Sequence, residues 1–231
     1  MRRSILLMSG LLLLWTACDS PTDSDSETDG PAQASISFMV GDNSSLAKGL
    51  SGHVQVESAK ILIRTIQFHS SDDSDSLSYR TDAFVLNLDM AGGLNSIDAI
   101  DIPAGTYNKV SFRVHKPGQG EDVGDADFID GDSGAERYSV VVKGTYLDTA
   151  FTFKSRATPQ QKIKFDPDLV VTDTTTFVNV TLSVDVMSWF VDNKGEDLDP
   201  TNERDESDID SAIRSSFKGF VDNNKSGLAD D

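Results

Sequence analysis

Between Val178 and Val186 every second residue is apolar: Val178, Val180, Leu182, Val184 and Val186 alternate with Asn179, Thr181, Ser183 and Asp185. Successive side chains of a β-strand point to opposite faces, so the run describes a strand with one face on a core and one in water. The same period of two recurs at Ile36, Phe38 and Val40, at Phe84, Leu86 and Leu88, and at Val110, Phe112 and Val114. It returns at Tyr138, Val140 and Val142, then at Phe151 and Phe153, then at Ile163 and Phe165. Within 54–68, Ile61-Leu62-Ile63 is apolar on both faces and reads as a central strand. Gly, Asp, Ser and Pro clusters at 70–76, 91–96, 117–134 and 166–176 separate the runs. Roughly eight to ten strands of this kind predict a mainly β fold, an antiparallel two-sheet sandwich.

One short C-terminal helix is expected beside the sheets. Ile209, Ile213, Phe217 and Phe220 fall at helical spacing, and Ser207 with Asp210 three residues on has the form of a capping box.

The first residues read differently. Met1-Arg2-Arg3 is positively charged, and Ser4 to Ala17 carries no charge and is rich in leucine. A bilayer-spanning helix needs about 20 apolar residues, so this stretch is too short to span and fits the core of a signal peptide. Leu14-Trp15-Thr16-Ala17-Cys18 resembles a bacterial lipobox, with Trp15 standing where an aliphatic residue is usual, and Cys18 is the one cysteine of the chain. The resemblance implies a signal peptide over 1–17 and a diacylglycerol thioether on Cys18, which would anchor the chain to a membrane of the bacterial cell envelope; two or more acyl chains hold stably. Asp19 after the cysteine favours the inner membrane in enteric bacteria but not in every phylum, so either leaflet stays open. A lone cysteine also leaves no intrachain disulfide, so the core alone must hold the fold.

Residues 18–33 comprise the cysteine and an acidic stretch, DSPTDSDSETDGPAQ, with nothing apolar larger than alanine. Such sequence cannot bury apolar surface and is expected to be a disordered tether. Residues 34–231 then form a single β-sandwich domain with the C-terminal helix and an acidic tail. The 231-residue chain has 20 Lys and Arg against 38 Asp and Glu, a net charge of −18. Without Arg2 and Arg3 the balance is 18 against 38, or −20. That charge repels nucleic acid and anionic headgroups, so no nucleic-acid partner is expected. Aspartates outnumber glutamates 31 to 7. Solvated loops, divalent-cation binding or a high-salt habitat would each account for the bias.

The turn Ile102-Pro103-Ala104-Gly105-Thr106-Tyr107-Asn108-Lys109-Val110, with the run to Val114 after it and Phe84–Leu88 before it, resembles a family of bacterial envelope lipoproteins. These carry a prealbumin-like sandwich domain of unknown function, and the likeness covers roughly residues 34–116. It implies a fold and an envelope location and brings no catalytic residue.

Chemical motifs are few. The sequence has no HExxH, GxSxG, glycine-rich phosphate loop or CxxC. His53, His69 and His115 are not clustered as zinc ligands are. Asp125, Asp127, Asp130 and Asp132 surround Phe128 and Ile129 in the longest acidic loop, 118–134, a candidate ligand or cation site or simply a solvated loop. Tyr79, Tyr146, Trp189 and Phe190 suit either core packing or a glycan site. The tail from Asp222 resembles the first half of an EF-hand-type loop. Asp222, Asn224 and Ser226 stand at alternate positions before Gly227, and Asp230 falls at the ninth, so calcium is the candidate cofactor. The glutamate expected at the twelfth position is missing, and Asp192, Asp197 or Asp199 would have to replace it. The function expected is a membrane-anchored, non-enzymatic binding, adhesion or scaffold module with a protein or glycan ligand. An envelope hydrolase using an unrecognised carboxylate pair is the alternative.

Overall fold

The computed structural model describes residues 31–41, 53–71, 76–80 and 82–230. Cys18, the segment before it and nearly all of the expected tether lie outside them. The described chain is mainly β, as the alternation predicts. In order come β1 (Ala32–Val40), β2 (Val54–Ser70), β3 (Ser76–Arg80), β4 (Phe84–Leu88), β5 (Asn95–Ile102) and β6 (Gly105–Val114). After a long loop follow β7 (Val140–Tyr146), β8 (Thr149–Ser155), β9 (Gln160–Val171) and β10 (Phe177–Val184), then helix α1 (Glu206–Ser215) and β11 (Phe217–Val221).

The strands form two packed sheets. One has the order β11-β10-β1-β5. The other is built on the 17-residue β2, which pairs with β7 along its first half, with β6 along its second, and with β4 and β3; β8 and β9 extend it beyond β7 and β6. Among the described strands all pairs are antiparallel except one: β1 and β10 run parallel, with Ile36 opposite Val180 and Phe38 opposite Leu182. A parallel pair needs a long crossover, and the whole second sheet lies between these two strands in the sequence.

Val178, Val180, Leu182 and Val184 are all buried on the core side of the first sheet, and Val186, just past the end of β10, is buried as well. Ile36, Phe38 and Val40 join them from β1, and Ile61, Ile63, Phe68, Val110, Phe112 and Val114 face them from the second sheet. Edge-to-face contacts stitch the layers: the ring of Phe112 stands 6.0 Å from Phe38 and 5.2 Å from Phe217, a geometry that aromatic quadrupoles favour.

Two sequence expectations are corrected. The helix ends at Ser215, and Phe217 and Phe220 belong to β11, where Phe217 pairs with Val184 and Phe220 with Thr181. Ile209 and Ile213 alone form the buried stripe of α1, because the free edge of β10 captures the following residues as a strand. Ser207 lies inside the helix, whose N-cap is Asp205 without a side-chain cap bond. In addition, the polar side of β10 is not in water. Asn179 and Thr181 are fully buried, and with Ser35, Ser37 and Asp222 they form a hydrogen-bonded row described below.

Candidate functional site

Leu62 explains why β2 is apolar on both sides. Its side chain points away from the main core, and the acidic loop covers it by inserting Phe128, with Val141 of β7 completing a small second cluster. The loop is shaped by its own aspartates. Asp125 Oδ1 accepts the N–H of Asp127 and starts a 3₁₀ turn over Ala126–Phe128. Farther on, Ser133 and Glu136 form a capping box on the turn Gly134–Glu136.

Lysines on the strand faces beneath hold the loop down. Lys60 Nζ donates to Asp125 Oδ2 at 2.7 Å and to Asp127 Oδ2 at 2.8 Å. Lys143 Nζ lies 3.0 Å from Asp127 Oδ2, and Lys154 Nζ lies 2.6 Å from Asp130 Oδ1. Asp132 is exposed at the rim. Lys60 thus bridges Asp125 and Asp127, so an ammonium group stands where a metal ion would be drawn between them, while Asp130 meets Lys154 separately and Asp132 meets none of these lysines. The hydrogen bonds from Lys60 and then Lys143 pull the Asp127 carboxyl down to about 2, against an ordinary value of 3.8. Lys60 is pushed up by Asp125 and Asp127 in turn.

This clasp makes a pH prediction. A carboxyl with a depressed folded-state pKa stabilises the fold fully above its unfolded value, near pH 4, and loses that contribution as pH falls toward 2. Asp127 is 29% exposed, so solvent screening reduces the gain to about 1–2 kcal/mol. Denaturant unfolding at neutral pH and at pH 2.5 should show Asp127→Asn less stable by that amount at neutral pH and by only about a third of it in acid, where the unfolded carboxyl is protonated and the folded one still mostly ionised. Burial raises the Asp185 and Asp210 carboxyls, whose effect on stability runs the opposite way, but they are common to both proteins. An equal deficit at both pH values would rule out Asp127 as the titrating strut.

The terminal loop is also a closed structure. Asp222 is fully buried at the end of β11. Its Oδ1 accepts the N–H of Ser226 at 2.8 Å and the Ser226 hydroxyl at 3.4 Å. Its Oδ2 accepts the hydroxyl of Thr181 at 2.7 Å and the N–H of Gly227 at 3.0 Å. An ionised carboxylate has about four acceptor positions, and four donors fill them here. Gly227 sits at φ +79°, which permits the turn that aims its N–H inward. Asn224 Oδ1 also takes the Ser226 N–H, so Asp222, Asn224 and Ser226 share one turn, while Asp230 Oδ2 takes the N–H of Asn223 instead. The carboxylates expected to complete a calcium shell are engaged elsewhere: Asp197 with His53 at 3.0 Å, Asp192 with the N–H groups of Lys194 and Glu196, and Asp199 with Thr201.

The network continues inward through residues that sequence reasoning did not nominate. Asn179 donates to the Asp222 carbonyl and to Thr181 Oγ1, and its Oδ1 accepts the hydroxyls of Ser35 at 2.6 Å and Ser37 at 3.0 Å. The signal was the small polar row itself, Ser35 and Ser37 on β1 beside Asn179 and Thr181 on β10, which only the pairing of those strands makes visible.

The three histidines stay apart. His53 faces Asp197, His115 Nε2 lies 2.9 Å from Glu121 Oε2, and His69 Nε2 lies 2.7 Å from the Ser111 hydroxyl. Among the described residues no group of three or more His, Cys, Asp or Glu side chains converges to hold a metal. Trp189 and Phe190 are buried in the core, with Trp189 Nε1 donating to Ser216 Oγ. Open grooves among the described residues include one of about 650 Å³ between α1 and the 191–194 segment, and one of about 360 Å³ between β9 and the ends of β10 and β11. Among the described residues no helix is long and apolar enough to cross a membrane. Comparison with protein-family models, with curated proteins and with solved structures finds no match.

Proposed function

We propose that the chain is a bacterial envelope lipoprotein, anchored through Cys18, whose sandwich acts as a non-enzymatic binding, adhesion or scaffold module. One observation carries the reading of the domain: the carboxylates concentrated on its loops serve the fold. Asp125, Asp127 and Asp130 are struts on lysines, and Asp222 is saturated by donors. Hydrolysis by paired carboxylates needs two groups facing one cleft with pKa values pushed apart, and struts fixed by lysines are poorly suited to exchanging protons. The anchor rests on the sequence from Met1 to Cys18. Ala32 opens β1 only 13 residues after Asp19, so the domain would sit within a short chain length of the bilayer.

Expressed in a bacterium, the full chain is expected to partition into the detergent phase with a modified N-terminal cysteine, and Cys18→Ser to move it to the aqueous phase. Mass spectrometry of an unmodified protein starting at Met1 would remove the lipoprotein reading.

A further inference from the structure

The chain carries 18 more acids than bases, yet one sheet face is basic. Across β6 and β9, Lys109 stands directly opposite Lys164 and Ser111 opposite Lys162, while Arg113 stands opposite Gln160. On the other side of β6, β2 sets His69 opposite Lys109 and Gln67 opposite Ser111. Val110 and Phe112 alternate with these residues and are buried, so Lys109 and Arg113 share the outer face, with Ser111 between them buried and bonded to His69. Ile163 and Phe165 place Lys162 and Lys164 there by the same alternation. Opposed residues on neighbouring strands lie about 5 Å apart, and alternate residues along a strand about 7 Å.

Some cations of the domain are neutralised within the fold. Lys60, Lys143, Lys154 and Arg156 each meet a carboxylate. Among the described residues, none of Lys109, Arg113, Lys162 and Lys164 forms an ion pair. Like charges directly opposite on adjacent strands destabilise a sheet, so Lys109 facing Lys164 is a cost that the fold bears without an internal counterion. The field is felt locally: burial, then Lys109, then Lys162 push the His69 imidazole below its ordinary pKa. Asp166, next on the outer face of β9, marks one limit of the patch.

We propose that this β2–β6–β9 face is a docking surface for a linear carboxylated polysaccharide, whose regularly spaced anions lie along the lysine rows while the exposed Gln160 meets its hydroxyls. Charge complementarity supplies the attraction, and the shape of the partner decides its class. At physiological salt, charges are screened over about 8 Å, so a thin flexible chain following the strip feels mainly the four cations. A flat anionic bilayer would instead face much of an acidic molecule. Single-stranded nucleic acid gains from stacking on aromatic side chains, and the strip contains no Phe, Tyr or Trp on its outer face. The inference rests on the reading of the domain as a binding module. It does not depend on Cys18, since the patch can be assayed whether or not the protein is acylated.

The test is titration of the purified full chain with fluorescent oligogalacturonate at low and physiological ionic strength, beside neutral dextran, anionic phosphatidylserine vesicles and single-stranded DNA. Wild type should bind oligogalacturonate, more weakly at higher salt, and ignore dextran. The triple variant Lys109→Gln, Lys162→Gln, Lys164→Gln should bind at least tenfold more weakly while melting no lower than wild type, because like-charge repulsion is relieved. The charge-matched variant Lys194→Gln, Arg204→Gln, Lys218→Gln, whose residues lie away from this face, should bind as wild type does. The single change Lys164→Glu, at an exposed position, provides the same reading should the triple variant fold poorly. Absence of binding by wild type at low ionic strength, equal losses in both triple variants, or stronger patch-dependent binding to vesicles or DNA would each overturn the proposal. Detergent partition of the same protein, scored separately, keeps failure of the anchor distinct from failure of the patch.

Discussion

Truncation of Leu182 to alanine is expected to destabilise the folded chain by about 2–5 kcal/mol, toward the upper part of the range seen for buried leucines. The side chain is fully buried in the middle of β10, opposite Phe38 on one side and Gly219 on the other. A Cβ built on Gly219 would lie 2.8 Å from the Leu182 Cδ2 atom and 2.9 Å from Ile163, so Leu182 leans over space that the glycine vacates. Alanine at 182 leaves that space unfilled, because β11 offers no side chain there to collapse into it. Urea unfolding should show a lower midpoint with an unchanged slope. A loss below about 1 kcal/mol would mean that the sheets close over the void, and that the core is looser than its packing suggests.

Asp222→Ala is expected to have the second-largest effect, about 2–4 kcal/mol, through the donors it leaves without an acceptor. Thr181 Oγ–H, the Ser226 N–H and the Gly227 N–H all point at one carboxylate, and the Asp222 carbonyl beside it holds Asn179. Because that row reaches Ser35 and Ser37, the variant should also loosen β1 against β10, read as faster amide exchange in both strands. The same pair of proteins tests calcium. With all four acceptor positions occupied by internal donors, millimolar calcium should leave both melting temperatures unmoved. A rise confined to the wild type, as expected when a ligand stabilises only the state that binds it, would return the loop to the metal-binding reading.

The sandwich was legible because a period of two survives wherever one face of a strand meets a core. The run from Val178 to Val186 alternates so regularly that its core face could be named residue by residue. Its opposite face was misjudged: Asn179 and Thr181 look like solvent-facing residues until Asp222 and the two serines of β1 are brought over them, and nothing local announces that cover. Leu62 posed the reverse problem. Its outward apolar side chain was evident, but its cover, Phe128, comes from a distant loop. At the C-terminus, Phe217 and Phe220 satisfy helical spacing after Ile209 and Ile213, and pairing with β10 settles the matter in favour of a strand. For the acidic loop the sequence displayed the anions and concealed their partners, since Lys60, Lys143 and Lys154 each read as an ordinary solvent-facing lysine until the loop folds back on them.

The parallel pairing of β1 with β10 bears on the order in which the chain can assemble. Gln33 is matched with Phe177, so the first strand waits for a neighbour that is synthesised only after the entire second sheet. Its antiparallel neighbour β5 arrives earlier, but β5 is the outermost strand of that sheet and cannot close it. Contacts this distant in sequence carry a large loop-closure entropy and slow the folding search. A chain emerging N-terminus first therefore leaves one hydrogen-bonding edge of β1 unpaired until its last quarter is available, and remains open to mispairing or to capture by a chaperone for most of its synthesis.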